Sequence, residues 1–157
     1  MEVNSYKTQL NVSGGLELVT EKTFIVDGRK QYNSPELVAD FLNNSIGLNK
    51  AAEEYVYIIC LDSANHIIGL FEASHGSANA SIFPTREILK KALLLNAVNL
   101  FVSHNHPSGN TEPSGPDIQG TLKLKDACEL IGITLYDHII VGGNTTQYYS
   151  FNENNII

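Results

Sequence analysis

Residues 98–117 read Val98-Asn99-Leu100-Phe101-Val102-Ser103-His104-Asn105-His106-Pro107-Ser108-Gly109-Asn110-Thr111-Glu112-Pro113-Ser114-Gly115-Pro116-Asp117. The apolar run 98–102 predicts a short strand that delivers the chain directly into the two histidines. Residues i and i+2 of an extended segment point to the same side, so His104 and His106 can converge on one ion. Pro107 and Gly109 end the strand. Ser114 with Asp117 three residues on predicts an acidic capping box, and Pro116 is tolerated in the first helical turn. Two imidazoles and one carboxylate suit a Zn²⁺ ion with a fourth position left for water, the catalytic kind of zinc site. Ser114 is placed to donate to an oxyanion, or serves only as the helix cap. The proton acceptor must come from elsewhere, and the acidic candidates just outside apolar strands are Glu53, Glu54, Glu72 and Glu87. The bland alternative is a polar loop that happens to carry two histidines.

Outward from this stretch, the pattern is a mixed α/β one. Residues 55–61 and 66–72, separated by an Asp-Ser-Ala-Asn turn, predict a hairpin. Pro84-Thr85-Arg86-Glu87 opens a helix with Ile88, Leu89, Ala92, Leu93 and Leu95 as its apolar positions. After Ser114 the helix is expected to bury Ile118, Leu122, Ala127, Leu130 and Ile131 and to stop at Gly132. Residues 133–141 and 147–151 predict the last strands, and 152–157 a frayed tail. On the N-terminal side, Ser34-Pro35-Glu36 caps a helix whose face is Leu37, Val38, Phe41 and Leu42. Residues 1–33 are expected to be an arm or peripheral hairpin, with short strands at 16–19 and 23–26, and 74–80 a loop or irregular edge strand. The domain proper is read as 34–157. His138, after Asp137 in an apolar strand, is either a residue behind the metal ligands or a satisfied core histidine. His66 and His75 read as turn or surface residues, while Asn105 and Ser108 either orient ligands or satisfy the turn.

The 157 residues suffice for one domain with a core of its own, and 43% hydrophobic with 17% charged residues is ordinary for a soluble globular protein. A net charge of −7 with a pI near 5.1 argues against a surface built to neutralise phosphates. Cys60 and Cys128 lie far apart in apolar segments and are read as reduced buried thiols. No signal-peptide pattern or membrane-length apolar run is present, so the expectation is a cytoplasmic protein without a membrane partner.

His104-x-His106, seven residues, Ser114, two residues, Asp117 resembles the JAMM metalloprotease motif of JAB/MPN domains in type and spacing. His104-Asn105-His106-Pro107-Ser108-Gly109 with Pro113-Ser114-x-x-Asp117 resembles the bacterial RadC-like branch more narrowly. Arg86-Glu87, Ala92-Leu93, Asn96-Ala97, Gly132-Ile133, the run 137–142 and Tyr149-Ser150 follow the same pattern, so the resemblance spans about residues 50–152. It implies a cytidine deaminase-like α/β sandwich, a mixed sheet flanked by helices. It also implies one Zn²⁺ per chain held by His104, His106 and Asp117, with Ser114 assisting the tetrahedral intermediate. A glutamate just before the first core strand is implied as general base; the matching position is Glu54, with Glu53 adjacent. The implied activity is that of a zinc metallopeptidase acting on amide or isopeptide bonds of a peptide or protein. Two other readings are a non-catalytic binding module of the same fold and a DNA-associated factor. Longer RadC-like proteins carry a helix-hairpin-helix segment before this domain, and no Gly-rich hairpin of that type stands in the N-terminal residues here.

Overall fold

Side-chain alternation along the strands sorts the chain into two faces and builds a core on each. The computed structural model describes residues 1–28, 30–76 and 84–157. In chain order its elements are β1 (Glu2–Leu10), β2 (Leu16–Ile25), α1 (Pro35–Phe41), β3 (Tyr55–Leu61), β4 (Ile67–His75), α2 (Thr85–Leu94), β5 (Asn99–His106), α3 (Gly115–Leu130), β6 (Thr134–Gly142) and β7 (Tyr148–Ser150). Among the described residues one mixed sheet runs β2-β1-β4-β3-β5-β6-β7. Ile59 and Leu61 of β3 and Phe101 of β5 pack toward α1 with Val38, Phe41, Val3 and Leu70. The alternating positions Ile58, Cys60, Leu100 and Val102 pack toward α2 and α3 with Ile88, Ala92, Leu124 and Cys128. Each fully buried apolar side chain contributes about 1.5–3 kcal/mol, so two cores on one sheet explain why no staple is needed. The expected mixed sheet flanked by helices is what the chain forms.

Topology places the site. The β3–β4 and β3–β5 pairs are antiparallel, but β5 and β6 are parallel. A parallel pair requires a crossover, which α3 supplies. The carboxyl end of β5 therefore meets the amino end of α3, the kind of crevice in which open α/β sheets hold ligands.

Several local expectations are corrected. β5 is longer than the expected run 98–102: it carries both histidines in extended backbone, as their spacing requires, and stops before Pro107. α3 buries Asp117, Thr121, Leu124 and Cys128, whereas Leu130 is 87% exposed and Leu122 and Ile131 are also exposed. Its inward face carries Asp117, turned toward the end of β5, and Thr121, turned toward His138 of β6, so the helix is rotated away from its apolar pattern. On α2 Ile88 and Ala92 are buried, but Leu93 is exposed. The two short N-terminal strands are one strand, β2, and the polar stretch before it is a second, β1. Its Ser5 bridges Leu70 of β4 and its Val3 enters the core. Residues 152–157 do not fray: Ile156 N–H donates to Phe151 O, and Ile157 packs on the α2/α3 core. Strand β4 reaches His75, and the rest of the expected loop, from residue 77 on, lies outside the described residues.

Candidate metal centre

His104 and His106 leave β5 on the α3 face, the side shared with Leu100 and Val102. Their Nε2 atoms are 2.9 Å apart. Asp117, at the third position of α3, brings Oδ1 to 3.5 Å from His104 Nε2 and Oδ2 to 3.8 Å from His106 Nε2. His104 and Asp117 are each 1% exposed. One donor atom from each of the three residues lies within 4.8 Å of the other two. Zinc–ligand distances of about 2.0–2.2 Å give a tetrahedral edge of about 3.3 Å, and the 2.9 and 3.5 Å separations bracket it.

Hydrogen bonds assign the tautomers. Thr121 Oγ1 donates to the Asp117 carbonyl at 2.6 Å, the backbone of its own helix one turn earlier. A hydroxyl has one hydrogen, so His138 Nδ1, 2.6 Å from the same oxygen, must donate to it. His138 Nε2 is then an acceptor and takes the Nδ1–H of His104 at 2.8 Å. His104 Nε2 is then the unprotonated nitrogen, and it faces His106 and Asp117. His106 Nδ1 donates to the Asn110 carbonyl at 2.7 Å, which leaves its Nε2 for the same point. Among the described residues Asp117 Oδ1 is buried without a hydrogen-bond partner. Two nitrogen lone pairs and a carboxylate oxygen facing one another out of water repel unless a positive charge sits between them. A metal cation meets that need, and so does a proton on His106 Nε2.

The titration behaviour agrees. Burial pushes His104 down to about 4, with Asp117 opposing. The Asp117 carboxylate is the largest influence on His106 and raises it, and Glu54 adds to the rise. Burial raises Asp117, but His106, His104 and Ser114 together hold it well below the usual carboxylate range. Burial and the neighbouring His104 keep His138 well below an ordinary histidine, hence neutral.

Each remaining candidate has a place. Ser114 caps α3: its Oγ accepts from Asp117 N–H at 3.2 Å and donates to Asp117 Oδ2 at 2.6 Å, while its own N–H donates to Oδ2 at 2.7 Å. The expected capping box is present and binds the carboxylate to its helix end. Glu54 precedes β3, in which Val56 pairs with His104. Two residues back along β3 and two forward along β5, Glu54 comes level with His106, whose titration it influences. Glu53 is exposed and lines a groove of about 490 Å³ with Tyr55, Tyr57 and Lys22, on the α1 side. Glu72 lines the same groove, and Glu87 pairs with Arg86 and Lys90. His66 pairs with Asp62, and His75 with Glu72.

His138 reaches the site through a bulge. Leu100 pairs with Leu135, but Phe101 pairs with Asp137, so β6 carries one extra residue. The extra residue flips the alternation. Leu135 lies in the α3-side core, whereas Ile139 and Val141 lie in the α1-side core, and His138 joins His104. Asp137 pins the bulge by accepting from the N–H of His138 and Asn152 and the hydroxyl of Ser150. The ring of His138 stacks on Phe151 at 4.3 Å. Thr121 was not foreseen as part of the site, because a threonine in mid-helix carries no local signal.

The turn after His106 is held by the turn after β6. Gly143 N–H donates to His106 O at 2.8 Å, and a Cβ on Gly143 would stand 2.5 Å from the Pro107 carbonyl. Gly109, with φ of +85°, closes the turn.

A family model described as RadC-like JAB domain matches residues 32–156. A UPF0758 protein of Clostridium beijerinckii is 36% identical over 124 residues, covering 79% of this chain and 52% of that protein. One from Clostridium botulinum (strain Eklund 17B) is 41% identical over 111 residues, covering 71% and 48%. One from Thermotoga maritima is 33% identical over 147 residues, covering 89% and 65%. The chain spans about half the length of most of the curated relatives it matches. Among the described residues no helix is long and apolar enough to cross a membrane. With the mixed sheet and the His-His-Asp cluster at the β5–α3 junction, these matches show that the chain belongs to the RadC-like JAB domain family, a fold related to the JAMM metalloproteases.

Proposed function

We propose that this chain is a zinc-dependent hydrolase of peptide or isopeptide amide bonds, with one zinc per chain held by His104 Nε2, His106 Nε2 and Asp117. The observation that carries the reading is the buried Asp117 Oδ1, without a hydrogen-bond partner among the described residues, beside two inward imidazole nitrogens. When bound, zinc supplies a Lewis acid for a substrate carbonyl and makes water a nucleophile near neutral pH. The chain's residues do the rest. Glu54 accepts a proton from the attacking water as the C–O bond forms, then returns it to the amine nitrogen as the C–N bond breaks. Ser114 donates its hydroxyl hydrogen to the developing oxyanion, leaving Asp117 Oδ2 with the Ser114 N–H. His138 and Thr121 hold the His104 ring in the tautomer whose Nε2 is unprotonated and faces Asp117.

That last role gives a direct expectation. His138→Phe keeps a flat ring against Phe151 but removes the acceptor for His104 Nδ1–H. Zinc affinity is expected to fall about 10–100-fold, read by competition with a chromophoric chelator. An unchanged affinity in the folded variant would show that the relay is packing alone.

A second reading, a non-catalytic metal-binding module, is favoured by one observation: the only hydroxyl hydrogen of Ser114 is committed to Asp117. One experiment separates the two. Protein purified without chelators is assayed for bound zinc and for cleavage of a fluorescence-quenched peptide library. One zinc per chain with cleavage abolished by chelator and restored by zinc supports the hydrolase. Zinc without cleavage supports the module, and a chain that binds no zinc at neutral pH sinks both.

A further inference from the structure

His104 and His106 point from β5 toward α3, and the residue between them points the other way. Asn105 is fully buried on the α1 side of the sheet. Its Oδ1 accepts from Tyr55 N–H at 2.8 Å, and its Nδ2 donates to the Glu53 carbonyl at 2.9 Å. The amide is fixed in this sense, because an N–H needs the oxygen and a carbonyl needs the nitrogen. Asn105 therefore brackets residue 54 from both sides through the peptide groups next to it. On the other flank, Gly76 N–H donates to the Glu54 carbonyl at 3.1 Å.

The bracket lies where the β3–β5 ladder gives out. Backbone pairing ends at Val56 with His104, and one step further the Asn105 side chain takes over the bonding to Tyr55. We propose that Asn105 is a positioning residue. One strand holds the two histidine ligands on its α3 face and, through Asn105 on its α1 face, sets the distance from those histidines to the Glu54 carboxylate. This rests on the hydrolase reading above, in which Glu54 is the base, and adds the device that couples Glu54 to the ligands. The physical need is plain: Glu54 lies before the strand, half-buried, tied on the β4 side through its carbonyl to Gly76 N–H but beyond the last backbone pair with β5. On the side of the ligands the Asn105 side chain supplies the tie. A base displaced by about 1 Å costs on the order of 100-fold in rate.

The test compares wild type, Asn105→Ala, Glu54→Gln and the double variant, each zinc-loaded and each cobalt(II)-substituted. The zinc proteins report bound metal, thermal midpoint and cleavage of the quenched peptide library. The cobalt proteins report visible absorption, which responds to groups facing the ion and needs no substrate. Asn105→Ala is expected to keep one zinc per chain and lose about 100-fold in kcat with KM little changed. Its cobalt spectrum is expected to shift in the same direction as that of Glu54→Gln, and the double variant to show no further change in either readout. A purely structural role predicts instead a lower thermal midpoint, an unshifted spectrum and effects that add. That result, with Glu54→Gln active in either readout, overturns this inference alone. A Glu54→Gln protein that leaves both spectrum and cleavage untouched overturns the assigned base and, with it, this inference. If Asn105→Ala does not fold, Asn105→Asp serves. It keeps the acceptor for Tyr55 N–H but sets a carboxylate against the Glu53 carbonyl, and the same outcomes apply.

Discussion

Glu54→Gln is expected to keep one zinc per chain and to lose hydrolysis by about 10²–10⁴-fold. Glutamine matches glutamate in shape, and the bonds holding residue 54 run through the backbone: Glu53 O, Tyr55 N–H and Glu54 O. The substitution removes only the ability to take a proton. Zinc binding is expected to be preserved because the three candidate donor atoms come from β5 and α3, and Glu54 is not among them. Glu53→Gln is the control and is expected to behave as wild type, since Glu53 is exposed and lines the groove with Tyr55 and Tyr57 on the other side of the sheet. Kinetics with metal analysis on both variants decide the matter. If Glu53→Gln loses turnover and Glu54→Gln does not, the base is one residue earlier than the register of β3 against β5 implies.

What could be read from the sequence follows from distance along the chain. His104, His106, Ser114 and Asp117 fall within fourteen positions, and each rests on a local rule: strand alternation for the histidines, a capping box for the serine and aspartate. Those rules single out three candidate ligands without any tertiary information, and the β5–α3 crossover brings them together. Glu54 is fifty residues away in sequence: the residues alone offer it as one of four acidic candidates, and the resemblance singles it out; its level with His106 comes from cross-strand pairing. Thr121 was invisible for a related reason. The same inward face that carries Asp117 continues one turn later to Thr121, so the helix buries polar residues where its leucines predicted otherwise. A helix that spends part of its inner face on a site cannot be oriented from its apolar residues alone. The β6 bulge is the third case. Alternation without it would leave His138 on the face of Tyr136, and nothing in the run 134–142 announces the extra residue.

His106→Ala is expected to abolish stoichiometric zinc and, with it, hydrolysis. The imidazole is one of three candidate donors, and two of its neighbours are already engaged: Asn110 is bonded to it through a carbonyl, and Ser114 is committed to Asp117. The thermal midpoint supplies a readout independent of activity. At free zinc about 1,000 times Kd, binding stabilises the native state by about 4 kcal/mol, or about 8–16 °C for a domain of this size. Chelator should lower the wild-type midpoint by that much and leave His106→Ala unmoved. The pH dependence then has opposite signs with and without metal. In the metal-free protein the folded-state pKa of His106 is raised above 6.5, chiefly by Asp117. Its contribution is therefore full below the unfolded value of 6.5 and is lost as pH rises through the raised folded value. Asp117, held low, stays ionised throughout that window. Chelated wild type should thus exceed chelated His106→Ala in stability at mildly acid pH and lose that advantage above neutrality. With zinc the order reverses, because a proton on His106 Nε2 occupies the atom that the metal needs. Zinc affinity should weaken as pH falls through the same raised value. A wild-type protein whose chelated and zinc-loaded forms follow the same pH curve would show that His106 does not hold the ion.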